Sequence, residues 1–362
     1  MVGQKLEEII RSYLDLQKDN ENCKYFKKAQ KYYQTLSQRA IKANQVIDIF
    51  AFTLDQFGLV EMRHISEKTG GYIVVNESFI SDVFKDSYKK IFEKDTNGDL
   101  KIGTAAKIDI FLSKDIKVNG AIGACTSLKK NGPMVGEAEV GQGGTTSWYL
   151  GGIDRSSTVA FYLDLAVQQA NKEIAPNKVA YFQFQTIYKG SNGKMRLRVT
   201  TLTRRFADSN NLYDLAQGFD QEAACVAIAR LGVAKAEAEE PLEVLKWLDR
   251  SLIRVVCRFA EYKKDDLNSF RLTKEFSLYP QFMYHLRRSH FLQTFGASPD
   301  EATFYRVTLL RENTTNSLVM IQPALLEYNL ENIQPNPVLL DIESLKNNVI
   351  LLLDTYFHVV VW

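Results

Sequence analysis

At 362 residues with a formal net charge of +2, the chain is larger than a usual single core and has no overall charge excess to hold nucleic acid. Hydrophobic residues at 45% and charged residues at 24% exclude a chain disordered throughout. Two to four structural units are expected, and any affinity for anionic lipid must come from a local patch.

The segment Asn22 to Ala43, rich in Lys, Gln and Tyr, predicts a helix. Val46 to Phe52 is a short apolar run without turn residues and reads as a buried parallel strand. A helix follows around Leu59 to Lys68. Gly70-Gly71 then turns the chain into a second buried strand, Tyr72 to Val75. From Ser78 to Glu93 the apolar residues Phe79, Val83, Phe84 and Ile91 return to helical spacing. Such alternation is part of a doubly wound α/β domain.

From about Lys101 the period falls to two. Ile108, Ile110 and Leu112 alternate with Lys107, Asp109 and Phe111, and a turn at Lys114-Asp115 precedes a strand from Ile116. Val159 to Leu165 repeats the pattern. Val179 to Tyr188 and Lys194 to Thr203 form a hairpin around Gly190-Ser191-Asn192-Gly193. These strands predict an antiparallel sandwich or barrel. After Asp208 helical spacing takes over, through Leu212 to Leu231 and Leu245 to Phe259, with Pro241 suited to a first helical position. Ser298-Pro299-Asp300-Glu301 is a capping box opening a helix towards Glu312. From Ser317 β-type runs are expected again: Leu318 to Ile321, Val349 to Leu353 and Phe357 to Trp362. The chain stops on a strand, as a piece cut from a longer protein would.

The chemical motifs mostly fail. Cys23, Cys125, Cys225 and Cys257 form no C-x-x-C pair, so no zinc signature arises and a reducing compartment is implied. Asp95-Thr96-Asn97-Gly98-Asp99 has glycine two positions early for a calcium loop and Ala106 where the bidentate glutamate belongs, so it reads as a turn. Gly141-Gln142-Gly143-Gly144 lacks a third glycine, Thr146 standing in its place, and no P-loop occurs. His64, His285, His290 and His358 form no ligand set. No signal peptide leads the chain, and Val349 to Trp362 is too short for a bilayer. Two basic clusters stand out. Lys189, Lys194, Arg196, Arg198, Arg204 and Arg205 lie on the hairpin, with Arg196 and Arg198 on one face. Arg287 and Arg288 lie on a helix.

Several strings give the chain a specific resemblance. Phe219 to Ala224, Trp247-Leu248-Asp249-Arg250-Ser251-Leu252-Ile253-Arg254, Phe276 to Ser289 and Met320-Ile321-Gln322-Pro323 closely resemble the Sec23 family, the GTPase-activating subunit of the inner COPII vesicle coat. Val46 to Ile49, Thr69 to Tyr72, Gly120 to Gly123 and Arg198 to Thr201 extend the match along the chain. The resemblance implies a multidomain α+β fold. Residues 1–100 would be the C-terminal part of a von Willebrand A-like α/β trunk, 101–208 an antiparallel β-sandwich, 209–316 an all-helical domain, and 317–362 the start of a gelsolin-like α/β domain.

It further implies a role in endoplasmic-reticulum-to-Golgi transport, on the cytosolic face of the membrane. Expected partners are a Sar-type small GTPase, the cargo-adaptor subunit, the outer-coat subunit and the anionic membrane surface. The family's structural zinc lies upstream, so no cofactor is expected in this chain. Its arginine finger comes from a segment beyond Trp362, so no catalytic residue is carried over and the chain is not itself an enzyme. Arg196, Arg198, Arg204 and Arg205 are expected to join the family's basic membrane-facing surface. The alternative is the related COPII cargo-adaptor subunit.

Overall fold

The computed structural model describes residues 15–16, 23–166, 174–293, 296–329 and 332–362. The predicted helix start at Asn22 lies outside them. The chain divides into two compact units, Met1–Asn211 with Thr294–Arg311, and Leu212–Gln293 with Glu312–Trp362.

The first unit begins with α1 (Phe26–Lys42), which packs on α2 (Leu59–Met62) and α3 (His64–Thr69). One helix was expected around Leu59 to Lys68; the structure breaks it at Arg63 into these two. β1 (Ile49–Phe52) and β2 (Ile73–Asn76) pair in parallel, Ile49 opposite Ile73. Apart from Ala51 these strands are half-buried rather than buried as predicted, because among the described residues they have only each other as sheet partners. α4 (Asp82–Ile91) is capped by Ser81, whose hydroxyl accepts from the Phe84 N–H at 3.4 Å. An aromatic cluster joins it to β1: the Phe52 ring stacks on Phe79 at 3.7 Å and meets Phe84 edge-on at 4.3 Å.

The sandwich follows. Its larger sheet has the order β10-β9-β3-β7-β5, built from β10 (Met195–Arg205), β9 (Val179–Gly190), β3 (Gly103–Leu112), β7 (Ser147–Ile153) and β5 (Thr126–Ser127). The smaller has the order β6-β4-β8, from β6 (Val135–Gly141), β4 (Ile116–Gly123) and β8 (Val159–Leu165). The β4–β6 pair is parallel, an exception to the predicted antiparallel pattern. Ala106, Ile110, Val118, Ala121, Cys125, Trp148 and Leu150 form the core. Trp148 is fully buried and donates its Nε1–H to the Gln142 carbonyl at 2.8 Å, satisfying its one polar group.

The last piece of the first unit is α9 (Pro299–Arg311), which returns to pack on α2, β2 and β4. Its start matches the capping box, since Glu301 N–H donates to Ser298 Oγ at 3.2 Å. Two anchors fix it. The Asp300 carboxylate accepts from the N–H groups of Phe57, Gly58, Leu59 and Val60 at 2.7, 2.9, 2.8 and 3.4 Å. The Arg311 guanidinium lies 3.9 Å over the Tyr72 ring and donates to the carbonyls of Gly70 and Gly71.

The second unit holds α5 (Leu212–Gln217), α6 (Gln221–Ala236), α7 (Pro241–Phe259), α8 (Tyr279–Arg288) and α10 (Thr314–Ile321). Asp220 caps α6 by accepting from the N–H groups of Glu222 and Ala223. Two details differ from the sequence reading. A small hairpin, β11 (Glu261–Lys263) with β12 (Asp266–Arg271), interrupts the helices. Leu318 to Ile321, expected as β-type, belongs to α10. The Asn313 side chain caps that helix by accepting from the Asn316 N–H at 2.9 Å, and Pro323 follows its end. A four-residue apolar run fits either structure, and the cap decides it. The chain ends in a four-stranded sheet of order β14-β13-β15-β16, from β14 (Asn332–Val338), β13 (Ala324–Asn329), β15 (Val349–Asp354) and β16 (Val359–Val361).

Candidate functional site

The basic hairpin is the one expected site, and its geometry follows from strand register. β9 and β10 pair without a bulge from Met195 opposite Lys189 to Arg205 opposite Val179. Gly193, at φ +80°, closes the turn in a conformation that glycine adopts freely. Side chains alternate across a strand, so Arg196, Arg198, Thr200, Leu202 and Arg204 share the face of Tyr188, Thr186, Phe184, Phe182 and Ala180. Phe184 and Tyr188 pack on the sandwich core, so this is the inward face. Arg205 falls on the opposite face, beside Leu197 and Val199. Of the four predicted arginines, three therefore share one face of β10 and the fourth lies on the other.

Arg196 and Arg198 border a cleft of about 840 Å³ whose lining includes Lys101, Phe161, Phe184 and Tyr188. Both residues are exposed, and neither forms an ion pair with a carboxylate of a described residue within 4.0 Å. Asp95 also lines the cleft. Hydrogen bonds from the backbone N–H groups of Asn97 and Asp99 hold its carboxyl below the ordinary range, with Arg196 a lesser influence. Asp95 to Asp99 forms the expected turn, with Gly98 at φ +83°.

The second basic cluster is structural in part. Arg287 on α8 makes a two-point ion pair with Asp249 on α7, Nε to Oδ1 at 2.8 Å and Nη2 to Oδ2 at 3.2 Å. Arg288 lies 5.5 Å over the Tyr284 ring. Three cysteines are buried, and burial pushes the thiols of Cys125 and Cys225 up to about 12; Cys257 is exposed. Among the described residues no group of three or more His, Cys, Asp or Glu could hold a metal ion, and no helix is long and apolar enough to cross a membrane. The cleft was missed in the sequence, where the alternation of arginine with apolar residues in Met195 to Val199 was its one trace.

Comparison with known proteins agrees with this architecture. The chain matches the Sec23/Sec24 trunk domain over residues 2–95, the Sec23/Sec24 beta-sandwich domain over 103–207 and the Sec23/Sec24 helical domain over 220–319. A gelsolin repeat matches 331–362. Among solved structures, the human COPII-coat protein Sec24c is similar over 91% of this chain at 18% identity, with a TM-score of 0.75. The chain spans 40% of that protein's length, and at this identity the likeness speaks to fold. The three domain matches, in one unbroken order, identify the chain as a member of the Sec23/Sec24 family of COPII coat proteins.

Proposed function

We propose that this chain is the Sec23-type subunit of the inner COPII coat, the GTPase activator of a Sar-type small GTPase when full length. The observation that carries the subunit assignment is a pair of strings in the second unit. Trp247 to Arg254 lies in α7 and Phe276 to Ser289 runs through α8, and the Asp249–Arg287 ion pair ties one to the other. Both strings resemble the GTPase-activating subunit more closely than the cargo adaptor. In this reading the chain is a scaffold with no chemistry or cofactor of its own. It works peripherally on the cytosolic face of the endoplasmic reticulum, against the GTPase, the cargo-adaptor and outer-coat subunits and anionic lipid.

An arginine finger in trans is worth about 10³–10⁵ in GTP hydrolysis rate, which gives the test a wide window. Single-turnover hydrolysis by a Sar-type GTPase would be measured with this chain and with a version extended through a whole gelsolin-like domain. Acceleration by the extended version alone supports the reading. Acceleration by this chain places a finger among residues 1–362 and moves the catalytic assignment. Silence from both, with capture of cargo-tail peptides, favours the adaptor subunit instead.

A further inference from the structure

α1 breaks two local rules at once. Its 17 residues hold the cations Lys27, Lys28, Lys31, Arg39 and Lys42 and no carboxylate. Lys27 and Lys28 stand in the first turn, where the N–H ends of the helix already concentrate positive charge and acidic side chains are favoured. Lys27 and Lys28 each lie one turn from Lys31, and Arg39 one turn from Lys42, so like charges repel along the helix. At 3.6 residues per turn all five fall within an arc of about 120°. Each of them is exposed. The opposite side carries the buried Ala29, Ser37 and Ala40, and α1 packs on α2 and α3. Lys28, Lys31, Arg39 and Lys42 form no ion pair with a carboxylate of a described residue within 4.0 Å.

Whatever settles on this face must be anionic, because a cation stripped of water without a counter-charge is strongly destabilising. A second copy of the face would bring like charge and is excluded on that ground. A helix that lies in a lipid interface holds to it by an apolar face. The packed side of α1 is turned to α2 and α3, and its outward band has Tyr32, 48% exposed, at the border. The spacing selects the form of the anion. Lys27 to Lys42 covers about 22 Å in steps of helical turns of about 5.4 Å. Same-side residues of an extended strand recur at about 6.6 Å and drift out of step over that length, whereas the turns of another helix keep step. We infer that the outer face of α1 docks an acidic helix of a partner protein, laid along it. Carboxylates one turn apart pair with Lys27, Lys28 and Lys31, others two turns on pair with Arg39 and Lys42, and an apolar residue rests against Tyr32. The reading holds for either subunit type.

The test uses the full chain and a fluorescein-labelled, hydrocarbon-stapled helix of about 18 residues, long enough to span α1, with its glutamates on one face. A stapled isomer of the same composition, its glutamates spread round the helix, is the control. Binding is read by fluorescence anisotropy. The one-faced peptide should bind saturably and about tenfold or more tighter than the isomer. The double substitution K28E/K31E should weaken it about tenfold or more. Because that change places a carboxylate in the first turn, the variant should melt no lower than wild type. K263E/K264E alters net charge equally at the exposed turn between β11 and β12 and should bind as wild type does. Equal binding of the two peptides, or equal loss from the two double variants, is general charge attraction and overturns helix docking. A lower melting temperature for K28E/K31E makes the lysines structural and overturns it as well. Failure of the one-faced peptide does the same; if phosphatidylserine vesicles then bind and K28E/K31E releases them, the face is a membrane contact instead.

Discussion

Four backbone N–H groups at the start of α2 end on one carboxylate, that of Asp300, which comes from a helix more than two hundred residues later. Hydrogen bonds to a charged group are worth about 1.5–3 kcal/mol each, and a buried donor left unpaired costs more than the bond itself gained. Asp300→Ala should therefore destabilise the first unit by about 3 kcal/mol or more. Urea unfolding followed at Trp148, with Trp247 and Trp362 replaced by phenylalanine, will report it. Glu67 on α3 provides a pH probe. Burial disfavours its charge, but the nearby Arg63 and then His64 outweigh burial and leave its carboxyl below the ordinary value of 4.5. A carboxylate lowered in the folded state lends stability that is complete above the unfolded value and is lost as pH falls through the folded one. The melting temperature of Glu67→Gln should accordingly lie below wild type at neutral pH, with the gap closing under acid. Residue types alone do not reveal which arginines share a face; the register does, with Arg196, Arg198 and Arg204 on one side of β10 and Arg205 on the other.

At the scale of elements, the sandwich and the capped helices were legible because period-two alternation and Ser/Asp caps are local signals. Ile108 to Leu112, the β9–β10 hairpin and Ser298 to Glu301 all follow from neighbours in sequence. Leu318 to Ile321 was misread because a short apolar run carries no period of its own. The β11–β12 hairpin escaped because its strands are short and exposed, with Leu267 and Tyr262 facing water. Contacts between distant backbones left no local trace at all. The turn after α3 meets β7 so closely that a Cβ on Gly151 would press on the Thr69 carbonyl, and Gly151 sits at φ +71°. Gly151→Ala should cost about 2 kcal/mol or more from backbone strain alone. The same tryptophan-based unfolding assay will register it, and alanine at Gly193, where nothing crowds the added carbon, should cost less.

Across the whole molecule, the two compact units do not follow the chain in simple succession. The first is completed by Thr294–Arg311, which arrives only after most of the second has been threaded. No string of residues announces this, because Asp300 and Arg311 are a capping-box residue and a helix-end cation by every local rule. A chain ending at Asn211 should therefore lose its cooperative unfolding transition, seen in Trp148 emission on heating. Joining residues 296–311 to it through a flexible linker should restore the transition.

The late arrival of α9 also sets a timetable at the ribosome. Chains grow at about 5–20 residues per second, so the first unit waits several seconds in the cell without Asp300, its α2 donors open to water or to a chaperone. A stop or a break anywhere between the two segments leaves not one domain fewer but two incomplete ones.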